Sequence, residues 1–174
     1  EAFCFFYRDN LELLETLGAK MEYFSPLSDA ELPKNTDGLL LYGGYPELHA
    51  KELSEKTGCK IVRMSYYLNH FRCQGKMIYT PKVEEFLSLI NYADYVITDS
   101  FHCTAFSLNF HKEFFIFYPG KYSTRLQSIL ELTGTTHRVM NENKDVQPID
   151  FDYVDKVLNK EREKVDKFIT DYCN

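Results

Sequence analysis

Short apolar runs alternate with helical patterns along most of this chain, and this alternation constrains its fold more than any other feature. Each of the apolar runs AFCFFY, DGLLLYGG, YVITD and FFIFYP is followed by an amphipathic segment or by a proline that suits the first turn of a helix. A helix after each strand carries the chain back to the same edge of the sheet, so successive strands run parallel. The alternation therefore predicts an α/β domain with a mostly parallel sheet of about five strands.

Helices on both faces of such a sheet would make a three-layer domain of the flavodoxin-like or Rossmann-like kind. The chain has 174 residues, of which 44% are hydrophobic, and this is enough to bury one core. We therefore predict a single α/β domain over residues 1–174. A short strand, HRVM, and a long amphipathic helix, FDYVDKVLNKEREKVDKFITDY, are predicted near the end of the chain. Residues 66–79 follow neither the helical nor the strand periodicity of apolar residues, and we assign them no secondary structure.

Composition excludes several classes of function. A net charge of −6 and no concentrated run of Lys or Arg argue against a nucleic-acid partner. No apolar stretch approaches the roughly 20 residues that cross a bilayer, and the opening residues lack the pattern of a signal peptide. The 5 cysteines are scattered without metal-ligand spacing, which is typical of reduced thiols. We predict a cytoplasmic protein with no membrane partner, no metal and no cofactor.

Two strand-to-helix corners carry polar side chains, and such corners are where open α/β sheets bind ligands. The first corner lies in YVITDSFHCTAFSL, and the second lies in FFIFYPGKYSTRLQSIL. The candidate site residues at these corners are Ser100, His102, Thr104, Lys121, Ser123 and Arg125. Because one corner carries an imidazole and the next carries cations, the sequence predicts a cleft that binds an anion. His49 and His111 have charged neighbours and are predicted to be ordinary surface residues.

The motifs AFCFFYRDN, FSPLSD and GGYPELHA lie in the first third of the chain. Through them, residues 1–55 resemble the glutamine amidotransferase domain of cobyrinic acid a,c-diamide synthase. That activity needs a cysteine nucleophile on a sharp turn between a strand and a helix. No ECGG-like motif follows GGYPE here, and Cys59 precedes a predicted strand instead. The resemblance thus implies an amidotransferase-like fragment without its nucleophile, acting at most as a binding module.

The later segment, residues 75–174, resembles the polysaccharide pyruvyl transferase family through YTPKVEEFLSLINYADYVITDSFHCTAFSLNF and GKYSTRLQSILELTG. The resemblance implies transfer of the enolpyruvyl group of phosphoenolpyruvate to a sugar hydroxyl. It assigns His102, in the DSFH motif, as the acid/base or phosphate-contacting residue, since an imidazole titrates near neutral pH. Arg125 would hold a carboxylate or phosphate, and the other candidate residues would complete the substrate site.

Two departures from the family pattern accompany this resemblance. Cys103 stands where the family usually has Gly, so its side chain is expected to crowd the approach of a ligand, and Ser100 stands where many relatives have Arg. The family enzyme also has two domains with its substrates between them, and only the later domain has a counterpart here. Because positioning supplies much of the rate enhancement, we expect little or no turnover.

Three hypotheses remain open from the sequence. The first is a pyruvyl transferase-like domain that binds phosphoenolpyruvate or another phosphorylated ligand, with a sugar as acceptor. The second is the amidotransferase-like fragment, and the third is a folded chimera without activity. The junction, at residues 56–74, falls between βα units, which makes such a joint physically reasonable. A sheet shared by the two segments would connect them.

Overall fold

The computed structural model describes residues 38–42, 47–65, 74–79, 81–117, 124–140 and 147–173. The predicted strands AFCFFY and MEYFSP, the predicted helix NLELLETLG and the GGYP turn lie outside the described residues. The candidate site residues Lys121 and Ser123 lie outside them as well.

Five parallel strands form one sheet in the described part of the chain. They are β1 (Gly38–Tyr42), β2 (Lys60–Ser65), β3 (Lys76–Tyr79), β4 (Tyr95–Thr98) and β5 (Glu113–Ile116). Their order is β3-β2-β1-β4-β5, and each neighbouring pair is parallel. The α/β class with parallel strands is therefore confirmed. Strand β1 comes from the amidotransferase-like segment and pairs with β4 of the later segment, so the two segments share this sheet.

Five α-helices accompany the described strands. They are α1 (Glu47–Thr57), α2 (Val83–Tyr92), α3 (Phe101–Asn109), α4 (Thr124–Leu132) and α5 (Phe151–Cys173). Helix α1 ends at Thr57, because Gly58 adopts a φ of 74° and its N–H donates to the Ser54 carbonyl oxygen at 2.9 Å. Glycine adopts this left-handed conformation without the steric penalty of a Cβ. None of the helices in the described residues is long and apolar enough to cross a membrane.

The core lies against the middle of the sheet. Ala50 of α1 packs with Ile97 of β4 and Phe115 of β5, and all three side chains are buried. The alternate residues of the same two strands, such as Val96 and Phe114, are fully buried too. Because successive side chains of a strand point to opposite faces, the centre of the sheet is covered on both sides, as in parallel sheets generally.

Two local features differ from the sequence-based expectation or add to it. The predicted HRVM strand is wrong, because residues 136–138 form a 3₁₀ turn, and Val139 makes a single parallel bridge with Ile116. Strand β3 lies in the stretch that the sequence left without assignment. It follows Gly75, whose φ is 97°, and a Cβ there would stand 2.5 Å from the Ile61 carbonyl oxygen. Only glycine permits this close approach of two strands.

The chain divides into two compact units. One comprises residues 32–158 and contains all five described strands, and the other comprises residues 1–31 and 159–174. In the first unit, Val154 and Leu158 are buried on one stripe of α5, in agreement with the amphipathic pattern predicted for that helix.

Candidate functional site

The sheet order places a switch point between β1 and β4. From β1 the chain continues through α1 to β2 on one side, and from β4 it continues through α3 to β5 on the other. Because the two connections leave in opposite directions, a crevice opens at the carboxyl ends of β1 and β4. Open α/β sheets bind their ligands in this crevice. The first polar corner of the sequence lies at its edge.

Ser100 caps helix α3 at this corner. Its Oγ accepts a hydrogen bond from the Cys103 N–H at 3.4 Å, and its own N–H donates to Thr98 Oγ1 at 3.0 Å. The cap thus connects the end of β4 to the beginning of α3, and it leaves the first N–H groups of the helix at the crevice edge. Ser100 therefore lies where the sequence predicts a binding residue, with its hydroxyl engaged in the cap.

Thr104 has no exposed surface, and its Oγ1 donates to the Ser100 carbonyl oxygen at 2.9 Å. This buried position does not support the direct contact with substrate that the sequence suggests for Thr104. The side chain instead strengthens the first turn of α3 behind the cap. The sequence does not distinguish a threonine at a helix start that faces a ligand from one that faces the core, because packing decides the direction of the side chain.

His102 and Arg125 meet at the ring of Phe101. The exposed His102 ring lies edge-on to Phe101, with 5.8 Å between the ring centroids. The Arg125 guanidinium, in the first turn of α4, lies over the same ring at 5.6 Å from its centroid. The structure therefore brings together two of the candidate residues from the two predicted corners, and an aromatic residue that the sequence analysis did not select lies between them.

Asp99, directly after β4, is half-buried at the same corner. Burial raises the pKa of its carboxyl group, and a hydrogen bond from its own backbone partly offsets this effect. Sequence reasoning left Asp99 out of the site. Its position immediately after a buried strand was the available signal, since perturbed carboxyl groups gather at functional clefts.

Cys103, in contrast, takes no part in the site. Its side chain is fully buried, and burial raises the pKa of its thiol to about 12, although a hydrogen bond with Thr98 acts in the opposite direction. The thiol is therefore neutral and unsuited to nucleophilic attack. Since the side chain points into the core, the expectation that it would crowd an approaching ligand is wrong.

On the other side of the crevice, the first turn of α1 carries His49. Its ring stacks on Phe117, which follows β5, with 5.3 Å between the centroids, and Glu52 Oε2 lies 3.8 Å from its Nδ1. His49 is only partly exposed and belongs to the carboxyl edge of the sheet, so its interpretation as an ordinary surface residue missed this placement. The signal was its position at a helix start directly after a strand.

The amino edge of the sheet holds a different set of polar groups. His111 is exposed, as predicted, and its Nε2 lies 2.9 Å from Asp155 Oδ1. Arg138 is 2% exposed, and its guanidinium contacts Glu113 Oε2 at 2.6 Å and the Phe114 carbonyl oxygen at 2.7 Å. Burial lowers the pKa of Arg138, and the charge of Glu113 opposes this. These contacts join neighbouring segments of the fold.

Within the described ranges, no three His, Cys, Asp or Glu residues are grouped in a way that could hold a metal ion. The fold and the site together define an α/β protein with an imidazole and a guanidinium beside its switch-point crevice. Residues 32–121 match the polysaccharide pyruvyl transferase family. This match covers just over half of the chain, which therefore belongs to that family. It begins well before residue 75, where the resemblance in the sequence begins.

A second similarity involves cobyrinate a,c-diamide synthases. The enzyme of Methanosarcina acetivorans is 46% identical over 87 residues, which cover 48% of this chain and 17% of that protein. The enzyme of Methanococcus vannielii is 43% identical over 101 residues, or 56% of this chain and 22% of that protein. The enzyme of Clostridium tetani is 60% identical over 55 residues, which cover 32% of this chain and 12% of that protein. The chain thus spans about a fifth or less of the length of these relatives.

Both resemblances seen in the sequence are therefore confirmed, and the chain is chimera-like in carrying the two together. No solved structure matches it.

Proposed function

We propose that this chain is a polysaccharide pyruvyl transferase-like domain that binds phosphoenolpyruvate, or another small phosphorylated ligand, at the carboxyl ends of β1 and β4. The observation that carries this proposal is the meeting of His102 and Arg125 on the ring of Phe101. An imidazole and a guanidinium on adjacent helix starts provide donors for a phosphate and a carboxylate. Membership of the family supplies the class of ligand.

The roles of the residues follow from their chemistry. His102 is exposed and serves as the acid/base or phosphate-contacting group. Arg125 binds an anionic group of the ligand through its planar fork of donors. Ser100 holds the α3 cap in place so that the first N–H groups of the helix face the ligand. Lys121 and Ser123 are proposed to complete the site from the connection before α4.

We also propose a three-layer, Rossmann-like fold for this domain. The described order, β3-β2-β1-β4-β5, is that of the Rossmann fold, whereas flavodoxin-like sheets run 2-1-3-4-5. Right-handed crossovers along this order would place α1 on one face and both α2 and α3 on the other. Contacts between α2 and α3 agree with their sharing a face.

Turnover by this chain alone is proposed to be small or absent. The family resemblance implies substrates held between two domains, and the sugar acceptor would need the second domain for its orientation. The acceptor is proposed to be a sugar hydroxyl and the location of the protein cytoplasmic. Both parts of the proposal rest on the family and on the cysteine pattern rather than on the site.

The amidotransferase-like fragment is the second candidate, favoured by the high identity to cobyrinate a,c-diamide synthases. Its activity would need a cysteine at the carboxyl edge of the sheet. Cys59 directly precedes β2, and its Sγ lies 3.8 Å from Oδ2 of Asp94, which precedes β4. Both residues belong to the amino edge. This candidate would therefore bind glutamine without hydrolysing it, and the third candidate, a chimera without activity, would bind neither ligand.

Thermal unfolding in the presence of phosphoenolpyruvate or glutamine tests these candidates. A ligand at 100 times its dissociation constant stabilises the folded state by about 2.7 kcal/mol. We expect stabilisation by phosphoenolpyruvate, and we expect His102→Ala or Arg125→Ala to abolish it. His137→Ala and Arg162→Ala change the same residue types elsewhere and should preserve it. Stabilisation by glutamine alone would favour the second candidate, and no stabilisation by either ligand would favour the third.

A further inference from the structure

The crevice has two sides, and each begins a helix with an imidazole in its first turn. His102 is the second residue of α3, which follows β4, and His49 is the third residue of α1, which follows β1. Since β1 and β4 are neighbours in the sheet, both helices begin at the same edge and diverge from the same point. The placement of His49 mirrors that of His102.

Packing fixes His49 near the end of β4. Its ring stacks on Phe117, and the Phe117 N–H donates to the Thr98 carbonyl oxygen at 3.0 Å, which fastens Phe117 to the last residue of β4. The neighbouring residue, Ala50, is fully buried and packs against Ile97 of the same strand. The first turn of α1 therefore lies over β4 and β5, on the side of the crevice away from α3.

One edge of the His49 ring remains available to a ligand. Its Nδ1 faces Glu52 at 3.8 Å, one face of the ring covers Phe117, and 39% of the side chain is exposed. Within the part of the chain that the structure describes, Nε2 contacts no other polar group. The stacking on Phe117 orients the ring and so gives Nε2 a defined direction.

We propose that His49 is a second ligand-binding residue of the site: as an imidazolium with Nδ1–H directed at Glu52, it donates from Nε2 to one anionic group of the ligand while His102 and Arg125 bind the other. This inference rests on the proposed function. Phosphoenolpyruvate carries a phosphate and a carboxylate as two separate anionic groups on the same carbon atom, and donors on both walls of a crevice can bind one group each. Without His49, the described side chains assigned to the ligand all lie on the α3–α4 side.

His111 provides a matched control within the same chain. Its ring also packs on a phenylalanine, Phe151, at 5.1 Å between centroids, and one of its ring nitrogens, here Nε2, also has a carboxylate neighbour, Asp155, at 2.9 Å. It lies two residues before the first residue of β5, and therefore at the amino edge of the sheet, away from the crevice. The two histidines have the same kinds of neighbour and differ in the edge that they occupy.

The test measures phosphoenolpyruvate affinity by calorimetry for the wild-type chain and for the His49→Gln and His111→Gln variants. Replacement of the charged imidazolium donor by a neutral amide should weaken binding roughly tenfold in His49→Gln. His111→Gln should bind as the wild type does. In a second measurement, imidazole NMR signals of the wild-type chain are followed during the same titration. The His49 signals should shift and those of His111 should not.

The outcomes separate this inference from the proposal beneath it. If the wild-type chain does not bind phosphoenolpyruvate, both the proposed function and the role of His49 are overturned. If it binds, but His49→Gln binds equally well and the His49 signals stay unmoved, only the role of His49 is overturned. If His49→Gln does not fold, the wild-type titration decides alone, because the His49 signals can be assigned by elimination with variants at the other 4 of the 5 histidines.

Discussion

The two edges of the sheet use similar residues for different purposes. At the amino edge, the Arg138 guanidinium contacts Glu113 and two carbonyl oxygens, those of Phe114 and Gln147, and His111 lies within hydrogen-bond distance of Asp155. At the carboxyl edge, His102 and Arg125 pack against an aromatic ring. Aromatic rings lie beside these groups at both edges, since Arg138 lies over the Phe115 ring and His111 packs on Phe151. The close carboxylate partners of Arg138 and His111 use their binding capacity within the fold, whereas His102 and Arg125 are exposed at the crevice.

The largest expected effect distinguishes the two arginines. Replacing Arg138 by Ala leaves the Glu113 carboxylate and two carbonyl oxygens without their donor, and removal of one partner of a buried ion pair costs about 3 kcal/mol or more. Arg125 is exposed in the first turn of α4, and substitution of an exposed side chain should cost less than about 1 kcal/mol. Chemical denaturation of both variants measures this difference. Equal losses of unfolding free energy would break the comparison between the edges.

Cys103 provides the second test, through pH. Its pKa is raised in the folded state from 9.0 to about 12, so the folded chain retains a proton that the unfolded chain loses above pH 9. The stability contributed by this retained proton is complete below pH 9 and declines as the pH rises toward 12. Between pH 7 and pH 10 the loss is about 1.4 kcal/mol.

The matched variant for this measurement is Cys103→Ala, in which the same loss should be absent. Unfolding free energies of both proteins at pH 7 and pH 10 isolate the thiol, because all other titrating groups are shared. An identical decline in the two proteins would show that folding does not raise the pKa of the thiol, which would contradict its burial in the core.

Phe101 is expected to produce a smaller effect, on affinity rather than stability. Phe101→Leu keeps an apolar side chain but removes the ring face that orients Arg125, and a cation–π contact at an exposed site contributes about 0.5–1 kcal/mol. Phosphoenolpyruvate affinity should fall roughly twofold to fivefold. Phe106→Leu, on the same helix, removes a ring that packs on Phe86 and Phe110 and should leave affinity unchanged. An equal loss in both variants would contradict a positioning role for Phe101.

Asp99 should have the smallest effect, and its sign is informative. Because its pKa is raised above 3.8 by burial, the stability that Asp99 contributes is present below pH 3.8 and is lost as the pH rises through the folded-state pKa. Asp99→Asn should therefore be more stable than the wild-type chain at pH 7, and it should bind an anionic ligand more tightly. Denaturation at pH 7 measures the change in stability, and calorimetry at pH 7 measures the change in affinity. Weaker binding by Asp99→Asn would indicate that the carboxyl group acts on the ligand directly.

Much of the local structure could be predicted because its causes are local. The cap at Ser100 and the glycine end of α1 depend on residues a few positions apart, and the cap lies at a strand-to-helix corner that the sequence predicts. The placement of His102 at the crevice also followed from the strand before it. Strand β3 and the 3₁₀ turn before Val139 were not predicted, because neither follows a local periodicity. Pairing with β2 determines β3, and the bridge from Val139 to β5 accompanies the turn.

By itself, the sequence determined that strands and helices alternate and that polar corners follow the strands, since side-chain periodicity and backbone preferences act within a few residues. Only the tertiary structure decided the order of the strands, and with it which corners meet. That order brought His102 and Arg125 to the same aromatic ring and placed His49 on the other side of the crevice. It also buried Thr104 and Arg138. The physical reason is that burial and contact depend on residues distant in sequence, whose packing no local pattern encodes.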